Sequence, residues 1–99
     1  MSDTLTQFGT SFQTKIIASL MSDIKFLQTI SDILQPSMFD SDSNSWLVKS
    51  IRDYYYQYKK QPTLEVIKFK VDEIDSDVLK SGVVEKIRDV CKNVESTDL

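Results

Sequence analysis

Residues 44–60, NSWLVKSIRDYYYQYKK, decide the fold class. Leu47, Ile51, Tyr54, Tyr55 and Tyr58 fall at i, i+4, i+7, i+8 and i+11, one face of a 3.6-residue period. Lys59 and Lys60 close the segment, where cations complement the carbonyl end of the helix dipole. Pro62 then stops it, because proline lacks the amide hydrogen and its ring clashes with the preceding turn.

The same spacing recurs on both sides. Phe12, Ile16 and Leu20, widened by Ile17, predict a helix over 9–21. Ser22 and Asp23 offer a stop and a new N-cap. Phe26, Leu27, Ile30, Ile33 and Leu34 predict a second helix over 24–34, with Pro36 ending it. The stretch QPSMFDSDSNS, 35–45, reads as a loop, because Ser, Asp and Asn compete for local backbone hydrogen bonds. Met38 and Phe39 are its apolar residues and read as anchors to the core. After Pro62, Thr63 caps a fourth helix over 64–74, with Leu64, Ile67, Val71 and Ile74 on one side. Val66 and Phe69 point the other way, and a helix apolar on two sides is expected at the centre of a bundle. Asp75-Ser76-Asp77 caps a fifth helix over 78–94, which carries Leu79, Val83, Ile87, Val90, Cys91 and Val94 on one side. Gly82 within it costs about 1 kcal/mol against alanine and marks a place where the helix could break. The expected architecture is all-α, a small bundle of about five to six helices. Its division is an N-terminal tail over 1–11, one domain over 12–95 and a frayed tail over 96–99.

Composition narrows the function. The chain has 99 residues, 40% of them apolar, and a net charge of −3, enough for one domain with one core. It has no histidine, one cysteine and two glycines. Internal disulfides, zinc clusters and phosphate-cradling loops are therefore not expected, and no cofactor is implied. No serine sits in a nucleophile motif and no histidine is available as a base, so catalysis has no candidates. The acidic stretches FDSDSNS and EIDSD lack the calcium-loop spacing and read as helix caps. Lys and Arg are scattered, which disfavours strong nucleic-acid binding. No run of about 18 apolar residues and no basic-apolar leader occurs, so neither a membrane span nor a signal peptide is read, and a small cytosolic interaction domain is expected.

Tyr54, Tyr55 and Tyr58 share the face of Leu47 and Ile51, so they read as core with phenol tips at the edge rather than as a base-stacking platform. Trp46 and Tyr56 lie off that face. They are candidate contact residues, or aromatics that stay partly exposed or lie under the SDSN loop. Phe69 is the third off-stripe aromatic, buried under a neighbour or placed against a partner. Cys91 reads as a buried structural thiol. The broad stripe Leu79, Val83, Ile87 and Val90 is the candidate self-association surface.

Taken in order, three stretches resemble the N-terminal domain of DnaB-type replicative helicases in a divergent, phage-like form. They are FQTKIIASLMSDIKFLQTISDIL (12–34), LQPSMFDSDSNSWLVKSI (34–51) and YKKQPTLEVIKFKV (58–71). Pro36 and Phe39 match the family's proline and phenylalanine. Leu47 and Val48 match its Ile-Phe pair, Ile51 the next core position, and Pro62 the proline after a charged helix end. Gln13 stands where the family has glutamate, Ser19 where it has glycine, and Asn44 and Ser45 where it has a His-Arg pair. The resemblance implies a globular helical bundle with a C-terminal helical hairpin or long helix. It implies dimers, three of which form a collar on a hexameric motor, and docking of primase or a helicase loader. The motor with its phosphate loop would lie C-terminal to this region, so no ATP hydrolysis is expected of this domain. The alternative is a standalone small α-helical phage protein that binds another protein as adaptor or inhibitor.

Overall fold

The computed structural model describes residues 10–39 and 41–97, with side chains over 12–39 and 41–92. Among the described residues the chain forms five α-helices and no strand: α1 (Thr10–Ser22), α2 (Ile24–Ile30), α3 (Asp42–Tyr58), α4 (Leu64–Val71) and α5 (Asp77–Thr97). A 3-10 turn, Pro36–Met38, lies between α2 and α3. Of the terminal segments expected as tails, residues 10, 11, 96 and 97 are helical, and 1–9 and 98–99 lie outside the described residues.

Short polar side chains start α2 to α5, each satisfying amide hydrogens that a helix leaves unpaired at its first turn. The Asp23 carboxylate accepts from the amides of Lys25 and Phe26, both at 3.1 Å. Ser41 Oγ accepts from Asn44 at 3.1 Å and Thr63 Oγ1 from Val66 at 3.2 Å. Ser76 Oγ accepts from Leu79 at 3.2 Å. Because Ser41 serves as a cap, α3 begins at Asp42, inside the stretch whose composition suggested a loop.

Two expected helix ends move inward. α2 stops at Ile30, well before Pro36. Side chains of α3 take over the carbonyls of the following turn: Tyr56 Oη donates to Ser31 O at 2.9 Å, and Arg52 Nη1 donates to Leu34 O at 3.1 Å. That turn rotates Leu34 into the core and Ile33 into solvent. α4 stops at Val71, where Glu73 N donates to Lys70 O and Ile74 N to Val71 O, the tighter i→i−3 pattern of a closing turn. Lys59 ends α3 in the left-handed conformation (φ 60°, ψ 30°), its amide donating to Tyr55 O at 2.7 Å.

The core is built from Ile17 and Leu20 of α1, Leu27 of α2, Leu47, Val48 and Ile51 of α3, and Val83 and Val90 of α5. α5 packs most extensively across α1 and then across α3. It runs unbroken through Gly82, whose missing side chain has a local reason. A Cβ there would collide with Ser43 Oγ at the start of α3, so the glycine lets the two helices close. Phe39 is buried and Met38 half-buried, so this segment is anchored as the sequence suggested.

One buried contact is polar. Gln13 of α1 and Asn44 of α3 are both fully buried, and Asn44 Nδ2 donates to Gln13 Oε1 at 3.0 Å. This bond ties the first helix to the third across the core. It gives a partner to Gln13 Oε1 and to Asn44 Nδ2, each of which would cost about 1–3 kcal/mol if buried alone.

α4 is not central. It contributes Ile67 and Val71 to the core and touches α5 sparingly, while Phe69 is 68% exposed. The helix is too short and too far toward the edge for a second neighbour to cover its other side. Tyr58 also departs from its expected burial. As the last residue of α3 it lies beyond the core's reach and meets Tyr54 instead, ring centroids 4.5 Å apart and planes tilted by 44°.

Candidate functional site

The short α4 leaves an apolar cleft where it leans on α5. Its walls come from Met21 of α1, from Pro62 and Leu64 at the start of α4, and from Ile87, Val90 and Cys91 of α5. The cleft encloses about 470 Å³. Its polar lining is limited to Ser22, Gln61 and Thr63, and Gln61 is committed to the fold, with Nε2 donating to Leu20 O at 3.1 Å. Pro62 is buried and fixes the approach of the chain into α4.

Beside it a second groove continues from Leu64 to Asp72 and shares Leu64, Ile87 and Cys91 with the first. Its apolar floor also includes Val71 and Val84. Its edges are charged and exposed: Lys68 and Asp72 on α4, Arg88 and Lys92 on α5. Asp72 faces Lys80 at 4.0 Å. Exposed Phe69 lies on the same short helix, and exposed Val78 opens α5. Such an arrangement offers apolar contact area bounded by charge, which is recognition chemistry.

No family model, curated protein or solved structure matches the chain.

The sequence-selected residues separate into three groups. Ile87 and Val90 reach the cleft, Ile87 half-buried and Val90 almost wholly buried. Leu79 is half-buried against the core, and Val83 is fully buried within it. Most of the stripe expected to meet a second copy is therefore covered within the chain, while Ile87 stays half-buried and lines both the cleft and the groove. Trp46 is half-buried against the core. Tyr56 and Phe69 are exposed, yet they do not share a surface role. The Tyr56 hydroxyl bonds Ser31 O and lies 3.3 Å from Asp32 Oδ1, and Arg52 sits 5.9 Å from its ring, so Tyr56 staples α3 to the turn after α2. Phe69 has no such tie described and stands out from α4.

Leu64, Val84 and Cys91, and the cations Lys68, Arg88 and Lys92, were not singled out for contact. The α4 wall of the groove comes from Leu64 and Val71 of the main apolar stripe of 64–74, whereas Val66 and Phe69 on its other side do not line it. Among the described residues no group of three or more acidic, cysteine or histidine side chains could hold a metal ion, and no helix is long and apolar enough to cross a membrane.

Proposed function

We propose that this chain is the non-catalytic assembly and protein-docking domain of a phage-type replicative DNA helicase. In that role it supports ring formation and the docking of primase or a loader, and the ATP-hydrolysing motor lies C-terminal to it. One observation carries the reading. Gln13 and Asn44, which stand at the family's glutamate and histidine positions, are hydrogen-bonded to each other at 3.0 Å in the core. A neutral amide pair ties the first and third helices without burying charge.

The all-α bundle and the uncovered apolar surface along α4 are in keeping with a docking role. Because Val83 and Val90 are buried and Leu79 is packed against the core, self-association in this reading uses other surfaces, with Phe69 and Val78 the most exposed apolar residues described on α4 and α5. The test is the gene sequence beyond Leu99. A frame continuing into a GKT-type phosphate loop supports the reading, and a frame that stops there overturns it in favour of a standalone binding protein.

A further inference from the structure

We infer that the groove between α4 and α5 is a docking site for an acidic amphipathic helix of a partner protein. The inference rests on the docking reading above and gives that docking a place and a chemistry. Helix-in-groove recognition needs an elongated apolar floor that receives residues spaced i, i+3, i+4 and i+7. Val71 and Val84 with Leu64, Ile87 and Cys91 supply one, running from the start of α4 to its end. α4 leaves this floor open because it is eight residues long and packs lightly on α5.

The floor alone would accept any apolar helix. Charge makes the choice. Lys68 stands on the α4 edge and Arg88 and Lys92 on the α5 edge, so cations border the floor from both sides. The one acid at the rim, Asp72, is at the far end and faces Lys80. An occupant with carboxylates on both flanks of its apolar stripe satisfies both edges, whereas one with basic flanks is repelled by both. Flanking charge of this kind sets partner choice and on-rate more than it sets affinity.

The probe is a fluorescein-labelled helical peptide of about 18 residues, roughly five turns, with leucines at i, i+4, i+7 and i+11 and glutamates on either side. A second peptide carries lysines in place of the glutamates. Anisotropy at low salt is expected to show roughly tenfold tighter binding of the glutamate peptide, a preference that fades as salt screens the rim. The exposed double variant Lys68→Glu/Arg88→Glu is expected to invert the preference, with its circular dichroism unchanged. Val84→Asp, a change at a partly exposed floor position, is expected to weaken both peptides. Alkylation of Cys91 by a maleimide should slow when the glutamate peptide is bound.

Equal binding of the two peptides, or none, overturns the inference, as does unchanged alkylation of Cys91. So does a single-stranded oligonucleotide that displaces the peptide and binds more tightly, which would make the rim a phosphate surface. Sedimentation showing a dimer that Val84→Asp dissolves would instead assign the groove to a second copy. A phosphate loop found downstream of Leu99 with no peptide binding removes only the groove, and a terminated frame with binding intact removes only the helicase reading.

Discussion

α3 and α4 begin alike and end in different places. Each starts at a hydroxyl cap, and each carries an apolar stripe at helical spacing. α3 is 17 residues long and meets α1, α5 and the 3-10 turn, so Asn44, Leu47, Val48 and Ile51 are all buried. α4 is eight residues long, meets α5 lightly, buries Ile67 and Val71, and leaves Leu64 and Phe69 in solvent. Apolar pattern states what a helix could bury. The number of neighbours within reach determines what it does bury.

Substitutions can break this contrast. The largest effect belongs to α3 and its partners. Ile51→Ala and Ile17→Ala each remove a fully buried side chain, and each should lower unfolding free energy by about 2–5 kcal/mol in urea titrations. A domain of this size has about 5–15 kcal/mol in total, so either variant approaches the unfolding threshold. Asn44→Ala leaves the buried Gln13 carbonyl oxygen without its α3 donor and should cost about 1–3 kcal/mol.

Gly82→Ala should sharpen the account of how α3 meets α5. Alanine favours the helix by about 1 kcal/mol, but its Cβ meets Ser43 Oγ. The gain should therefore be larger in a Ser43→Ala background than in the native chain, and a double-mutant cycle by thermal unfolding reads the difference. The smallest effect belongs to α4. Phe69→Ser should stay within about 0.5 kcal/mol of the native stability, as exposed positions do, and a larger loss would mean that α4 is packed more firmly than its exposure shows.

The contrast also explains what the sequence could and could not foretell. Helix identities and three of the caps were legible, because Asp23, Thr63 and Ser76 act within their own turn. The early end of α2 was not, because it is imposed by Arg52 and Tyr56, about twenty residues further along the chain. The start of α3 lies earlier than its apolar pattern implies, because serine and aspartate favour loops and helix caps alike. The groove was half legible: the stripe with Leu64 and Val71 was visible, but how far α5 would cover it is not written in α4. The stripe on α5 was visible too, but not that Leu79, Val83 and Val90 pack within their own chain. A stripe cannot announce whether it will close its own fold or another copy's.

The first and last helices form the most extensive pairing in the molecule, with Lys86 of α5 within 3.5 Å of Thr14 of α1, 72 positions apart. That pairing sets a timetable. During synthesis, at about 5–20 residues per second, α1, α2 and α3 emerge with their apolar faces open and no α5 to cover them. The domain can therefore close only after Val90 has left the ribosome. For several seconds the nascent segment carries the same apolar surface that the finished protein hides, and an mRNA cut short before α5 would encode a chain that stays in that exposed form.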